Sequence, residues 1–216
     1  MSVIHRTTMT PTKLELLQDW LPTRPWYPAT GGTPVLEKAG GFRLDDPEGE
    51  VGIEFMVVRD ASAADRHGYL VPLTYRGAPL EGAEQSLVGT SEHGVLGTRY
   101  VYDGTHDPVL LAELRALLRG RAEPQAQSES DTPDPKVTAT VEGDEGWAPV
   151  SDASVTDGPD GTVIRFGSGA PELRVVRVLG TGEEPAAGAR GAVTAWWLPA
   201  EGEERTEAFV VVRDAP

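Results

Sequence analysis

Cysteine is absent from this 216-residue sequence. That absence excludes disulfides, thiolate metal sites and a cysteine nucleophile. Basic residues are also few, since 19 Lys and Arg stand against 34 Asp and Glu, for a net charge of −15. Because phosphate binding needs clustered cations, neither nucleic acid nor an anionic membrane surface is an expected partner.

Long apolar runs are missing as well. No segment approaches the roughly 20 consecutive apolar residues that a membrane-spanning helix needs. The first eight residues, MSVIHRTT, lack the apolar core of a signal peptide. Together these features predict a cytoplasmic protein with no membrane partner.

Two segments in the first 120 residues have the pattern of a helix. Thr10 and Pro11 predict the N-cap and first position of a helix that ends near Leu21. Asp107 predicts the N-cap of a second helix that stops at Gly120. Within this second helix, leucines recur at spacings of three and four and give one apolar stripe.

Strand patterns fill the rest of the first half. Apolar residues alternate over 51–59 and 69–76, and 99–102 predicts a third strand of the same sheet. Pro72 cannot donate a backbone hydrogen bond, so its strand is expected at an edge or a bulge.

The chain changes character after residue 120. Residues 121–135 contain almost nothing apolar and predict a linker or a long exposed crossing. Residues 123–216 hold 18 acidic and 7 basic side chains, a net of −11. Strands separated by Gly, Pro and acidic clusters are expected there, at 136–141, 162–167, 173–179, 192–198 and 208–213.

These patterns predict an α+β protein. We expect mainly antiparallel sheets, with two helices in the N-terminal half and a β-rich C-terminal half. The expected divisions are a domain at 1–120, a linker at 121–135 and a domain at 136–216. The two halves could also pack as one continuous body, because an open sheet needs cover.

Four aromatic residues are candidates for binding a ligand or partner. Trp196 and Trp197 are adjacent on an expected strand, so their side chains point to opposite faces. Either one indole is exposed as a platform for a sugar or a protein, or both are buried between stacked layers. Trp26 and Tyr27 follow the first helix, and they either bind a partner or fill the core.

No catalytic, metal or nucleotide site is predicted. Asp103, His106 and Asp107 have metal-ligand chemistry, but a turn and a helix cap account for the two carboxylates. The segment from Gly180 to Gly182 lacks the third glycine of a dinucleotide loop and predicts a hairpin turn instead.

Three segments together carry a family resemblance. They are LELLQDWLPTRPWY at 14–27, YLVPLTYR at 69–76 and YDGTHDP at 102–108. In this order they resemble the N-terminal cap domain of actinobacterial maltokinases, over roughly residues 12–118. The resemblance implies a curved antiparallel sheet with a helix, similar to the cystatin arrangement. In that family the cap lies beside the nucleotide-binding lobe of a kinase that makes maltose 1-phosphate.

The kinase motifs themselves are not found in this sequence. The family's catalytic loop has a His-Gly-Asp pattern, whereas Val95 follows His93-Gly94 here. Kinase activity, ATP and Mg²⁺ therefore do not carry over, and no cofactor is expected.

The leading hypothesis is a non-catalytic, cap-like binding or regulatory module in maltose, trehalose or glycogen metabolism. Its partner would be a kinase, a glucan enzyme or a second copy of the chain. The alternative is a carbohydrate-active enzyme or glucan-binding protein that acts on α-glucans or phospho-sugars. A purely structural or assembly role is the third reading.

Overall fold

A computed structural model describes residues 9–28, 32–129, 131–143, 147 and 149–215. The first eight residues, which support the predicted cytoplasmic location, lie outside these residues. The two α-helices of the described residues are α1 (Lys13–Trp20) and α2 (Pro108–Leu118). The strands are β1 (Met9–Thr10), β2 (Leu36–Asp45), β3 (Gly52–Asp60), β4 (Gly68–Arg76), β5 (Leu87–His93), β6 (Gly97–Asp103), β7 (Thr138–Val141), β8 (Ala153–Gly158), β9 (Gly161–Phe166), β10 (Glu172–Val175), β11 (Val178–Leu179), β12 (Gly191–Ala200) and β13 (Glu203–Arg213).

All of these strands join one antiparallel sheet. The order is β1-β5-β6-β4-β3-β2-β12-β13-β10-β9-β8, while β11 pairs with β4 and β7 pairs with β12. The N-terminal strands lie at one end of this order and the C-terminal strands at the other. They meet where β2 pairs with β12. The predicted α+β class with mainly antiparallel sheet is confirmed.

The start of the first helix differs from the prediction at Thr10 and Pro11. Thr12 is the N-cap, because its hydroxyl accepts a hydrogen bond from the Glu15 amide at 3.3 Å. The Glu15 carboxylate accepts in return from the Thr12 amide at 2.6 Å. This reciprocal capping box satisfies two helix-end donors, so Thr12 rather than Thr10 begins the helix.

The second helix follows its prediction closely. The Asp107 carboxylate caps it by accepting from the Val109 amide at 2.9 Å. Gly120 ends it with a φ of +66°, a conformation that glycine adopts without strain. The leucine stripe faces inward, as predicted, at Leu110, Leu111, Leu114, Leu117 and Leu118.

The strand β4 is interior rather than at an edge, so the prediction from Pro72 was wrong. It pairs with β3 along its length. On its other side β11 pairs with Gly68 and Tyr69, and β6 takes over from Leu73. Pro72 lies in the gap between these two partners, where its missing N–H costs no ladder bond.

Other strands depart from the sequence patterns. The pattern did not indicate β2, β5 or β8, and the expected strand at 173–179 breaks into β10 and β11. Within β2, Gly40 and Gly41 have φ values of +132° and +114°. They replace the regular apolar alternation with a kink, so period two is lost.

Two hydrophobic clusters lie on opposite faces of the N-terminal strands. One face packs against α1 and the aromatic residues that follow it. The other face shares a core with α2 and the strands of the C-terminal half. Phe42 lies in this shared core, with ring centroids 4.6 Å from Phe55 and 6.2 Å from Phe209.

The segment 121–135 crosses back over the sheet. Gln125 exchanges two backbone hydrogen bonds with Arg43, both 2.9 Å long, and forms an isolated bridge with Pro133. Gln125 and Asp134 are buried, whereas Ser128 and Glu129 are exposed. The domain boundaries at 120 and 136 stay a prediction.

Candidate functional site

The aromatic pair after α1 holds that helix to the sheet. Trp26 is buried, and its ring centroid lies 6.0 Å from that of Trp20 in an edge-on arrangement. The Tyr27 ring is 4.7 Å from Tyr69, and its hydroxyl donates to the Asp60 carboxylate at 2.9 Å. Both candidate residues therefore contribute to packing, and little of either reaches solvent.

The tandem tryptophans on β12 point to opposite faces of the sheet. Trp196 is half-buried on the outer face, and its indole N–H donates to Asp134 at 3.0 Å. The Lys136 ammonium lies over its ring at 5.1 Å. Trp197 is fully buried. Of this pair, only Trp196 offers surface to a ligand.

Trp197 occupies a slot lined by glycines from three segments. A Cβ built on Gly68 would lie 2.8 Å from the indole, and one on Gly180 would lie 3.1 Å from it. A Cβ on Gly40, which pairs with Trp197 in the ladder, would lie 2.9 Å from its Cα. The distances at Gly40 and Gly68 leave no room for a side chain, and the distance at Gly180 is tighter than ordinary contact. The slot therefore depends on glycine at these positions.

Arg177 fills the gap in the sheet beside Pro72. Its carbonyl accepts from the Leu70 amide at 2.9 Å, and the residue is completely buried. The guanidinium donates to Asp103 at 2.5 Å and to Thr162 at 2.7 Å, and it lies 4.9 Å from the Trp26 ring. A buried cation in this position is stable only while its carboxylate partner is in place.

Glu54 forms the second buried ionic group. Its carboxylate accepts from the Lys13 ammonium at 2.5 Å, the Tyr75 hydroxyl at 2.7 Å and the Gln127 amide at 3.2 Å. Burial alone would raise the pKa of Glu54, but the combined effect of Lys13, Lys38 and Tyr75 outweighs burial and lowers it.

The cluster around Glu54 is poorly suited to general acid–base catalysis. Burial, with the Glu54 charge beside it, raises the pKa of Tyr75 well above its usual value. Glu54 stays ionised and Tyr75 stays protonated near pH 7, whereas a general acid or base works best with a pKa near the operating pH. The cluster fixes α1 and the crossing segment to the sheet.

The carboxylates weighed as metal ligands have other partners. Asp103 accepts from the Thr105 amide and hydroxyl in addition to Arg177. Asp107 caps α2 and accepts two hydrogen bonds from Arg76, both 2.7 Å long. Among the residues that the structure describes, no three His, Asp or Glu side chains lie together as possible metal ligands.

The segment at Gly180 and Gly182 is a turn, but not a hairpin turn. The strands on its two sides do not pair with each other, since β11 pairs with β4 and β12 with β13. The Gly180 amide donates to the Glu207 carboxylate at 2.9 Å. The described chain forms no α-helix after this turn, so a helix N-terminus that could receive a phosphate is lacking there.

The β5–β6 hairpin presents apolar side chains to solvent. Val95 and Leu96 at its tip are 63% and 45% exposed. The His93 imidazole Nδ1 accepts from both of their amides, at 3.3 and 3.0 Å. The Arg99 guanidinium donates to the Leu96 carbonyl at 3.0 Å. These hydrogen bonds hold the tip in one conformation, with an apolar pair turned toward solvent.

Sequence reasoning missed three of these features. Glu54 and Arg177 are single charges within apolar runs, at Ile53-Glu54-Phe55 and Val176-Arg177-Val178, and this placement was the available signal. The signal for the hairpin tip was an apolar pair between two glycines, Gly94 and Gly97.

A cavity of about 290 Å³ lies between β7 and the loop before β12. Arg190 lines it, but its guanidinium donates to the Glu142 carbonyl at 2.8 Å and to the Asp214 carboxylate at 2.8 Å.

No helix of the described chain has the length and apolar character to cross a membrane.

Comparison with known families finds one similarity, in the N-terminal part of the chain. Residues 20–107 match the family described as the maltokinase N-terminal cap domain. No curated protein matches the chain. The matched segment begins at the last residue of α1, contains β2 to β6 and ends at the N-cap of α2. Over residues 20–107 the chain is similar to the maltokinase N-terminal cap domain family.

Proposed function

We propose that this chain is a non-catalytic cap module that binds a protein partner in maltose, trehalose or α-glucan metabolism. The similarity of residues 20–107 to the cap family supports the metabolic context. The observation that carries the binding role is the ordered apolar tip at Val95 and Leu96. A fold by itself does not specify a function, so the binding role rests on this surface.

The pairing at the two edges of the cap strands supports the same partner surface. The chain itself covers the edge of the sheet at β2, since Gly40 pairs with Trp197 of β12 and Arg43 with Gln125. At the other end of the sheet β1 covers only His93 and Glu92 of β5. The partner surface proposed here is therefore the β5–β6 hairpin, where a few exposed apolar residues can enter a pocket on another protein.

The charge of the chain adds a constraint on the partner. With a net charge of −15, the chain attracts surfaces of opposite sign over long range. The partner should carry an apolar socket within a basic or neutral rim. A maltokinase or another α-glucan enzyme is the first candidate, and a second copy of this acidic chain is disfavoured by charge repulsion.

Sedimentation velocity with purified components tests this proposal. The full chain is run alone and with a purified maltokinase or α-glucan enzyme. We expect a complex with an enzyme that is lost in Val95→Ser/Leu96→Ser and retained in Val35→Ser. Val35 is a matched control, because it is a 54% exposed valine just before β2. A complex that survives the tip substitutions, or no complex with any of these enzymes, would contradict the proposal.

Glucan binding at Trp196 is the competing function. The half-exposed indole has a carboxylate and an ammonium beside it, which suits a sugar platform. The other three aromatic candidates are buried. Titration of tryptophan fluorescence with maltose, maltoheptaose and glycogen separates the two functions. A saturable response that disappears in Trp196→Ala would favour sugar binding over the protein-binding role.

A further inference from the structure

The contact between the two halves has the features of a specific protein–protein interface. We propose that the C-terminal half (residues 136–216) binds the cap half (the expected domain at 1–120) as a separate protein partner would, through Trp197 and Arg177. The halves then stay bound when their connection is cut. This inference does not depend on the partner surface proposed above.

The tryptophan slot shows the complementarity of a specific site. Trp197 comes from the C-terminal half, whereas Gly40 and Gly68 come from the cap half. The adjacent Trp196, on the same strand, inserts into no such slot. A fully buried tryptophan in a fitted pocket is the type of residue that dominates binding energy at protein interfaces.

The arginine anchor makes each half dependent on the other. Arg177 belongs to the C-terminal half, and its carboxylate partner Asp103 belongs to the cap half. Separation would leave a cation in one half and a carboxylate in the other without their partner. Because a buried charge without its partner is strongly unfavourable, the halves can pack only with this pair in register.

The two halves also share one hydrophobic core, which forms the apolar part of their contact. Phe42 and Leu44 of the cap half lie in one cluster with Phe166 and Phe209 of the C-terminal half. Separated halves would expose these apolar faces to water. Faces of this kind are typical of obligate interfaces rather than of domains tethered by a linker.

The connection between the halves can be cut without touching either anchor. Backbone hydrogen bonds hold Gln125 to Arg43 and Ala126 to Thr132, whereas Ser128 and Glu129 are exposed. A recognition sequence for a site-specific protease, inserted after Glu129 in the full chain, places the cut at this exposed turn.

The cut chain is then examined by sedimentation velocity under native conditions. We expect both fragments in a single boundary at the mass of the intact chain, and separation only in denaturant. Fragments that sediment separately in native buffer would overturn the proposal. This readout uses the unsubstituted halves, so it does not depend on the folding of any variant.

Two substitutions in the cut chain test the role of the slot. Trp197→Ala should weaken association of the fragments by about 10²–10⁴-fold, from the usual cost of truncating a buried tryptophan. Trp196→Ala, the matched control on the same strand, should change it by less than about tenfold. Equal weakening by the two variants would show that Trp197 is not the anchor.

Discussion

The contact between Gly68 and Trp197 allows a sharp test at the scale of single residues. A methyl group on Gly68 would lie 2.8 and 2.9 Å from two atoms of the indole. We therefore expect Gly68→Ala to lower the free energy of unfolding by about 1–3 kcal/mol, the usual cost of overpacking a core. Urea unfolding of the full chain measures this change.

Two further variants identify the cause of that loss. Gly32→Ala serves as the control, because no atom lies within 4 Å of its Cβ position. In a Trp197→Phe background the smaller ring should reduce the cost of Gly68→Ala, since contacting residues couple energetically. An unchanged cost in that background would show that the indole is not the obstacle.

The ion pair between Arg177 and Asp103 gives a second test at this scale. Asp103→Asn leaves a fully buried guanidinium without its carboxylate and should destabilise the chain by about 3–5 kcal/mol. Adding Arg177→Met should recover part of this loss, because the double variant buries no charge. The surface pair of Glu203 and Arg205 is the control, and Glu203→Gln should cost at most about 1 kcal/mol. A double variant less stable than Asp103→Asn would contradict the pairing.

The sequence predicted only part of this residue-level arrangement. Alternation along a strand indicated that Trp196 and Trp197 face opposite sides. It could not show which side is the core, because that depends on the glycines of Gly40 and Gly68, which are far away in sequence. The burial of Arg177 depends likewise on a gap in a strand about 100 residues earlier.

Among the elements, α1 depends on one buried carboxylate. Glu54 has a lowered pKa because the effect of Lys13, Lys38 and Tyr75 outweighs burial. A carboxylate whose pKa is lower in the folded state stabilises that state above its ordinary pKa of about 4.3, and the contribution is lost as pH falls through the folded value. We expect the free energy of unfolding to fall less steeply in Glu54→Gln than in the parent chain between about pH 5 and pH 2.

Urea unfolding at successive pH values measures these slopes. Glu37→Gln is the control, since Glu37 forms a half-exposed pair with Arg59 at 2.6 Å. Its slope should match that of the parent chain. Parallel curves for the parent chain and Glu54→Gln would mean that the cluster does not couple α1 to pH.

The elements were predictable where their signal is local. The leucine stripe and the caps of α2 lie within one segment, so sequence alone specified that helix and its ends. The strand β2 was missed because Gly40 and Gly41 interrupt its apolar alternation. Trp197 and the segment 121–135 pack against these two glycines. The position of β4 was misjudged because Pro72 is tolerated in an interior strand only where two other strands leave a gap.

The order of strands could not be derived from the sequence at the scale of the whole molecule. It joins β2 to β12 and β4 to β11, which are separated by more than 100 residues. Such pairings are selected by the complete core and not by any local pattern. The family resemblance supplied the cap half. The need to cover an open sheet allowed residues 136–216 to pack against it, but no sequence pattern indicated which strands would pair.

Hydrogen–deuterium exchange of the full chain, with and without the enzyme that binds it in sedimentation, shows whether the hairpin tip is the binding surface. We expect slower exchange at residues 92–99 on binding, around Val95 and Leu96. Exchange at 191–200, which carries Trp196 and Trp197, should stay unchanged. Protection centred on 191–200, or none at the β5–β6 hairpin, would contradict a cap module that binds through its hairpin tip.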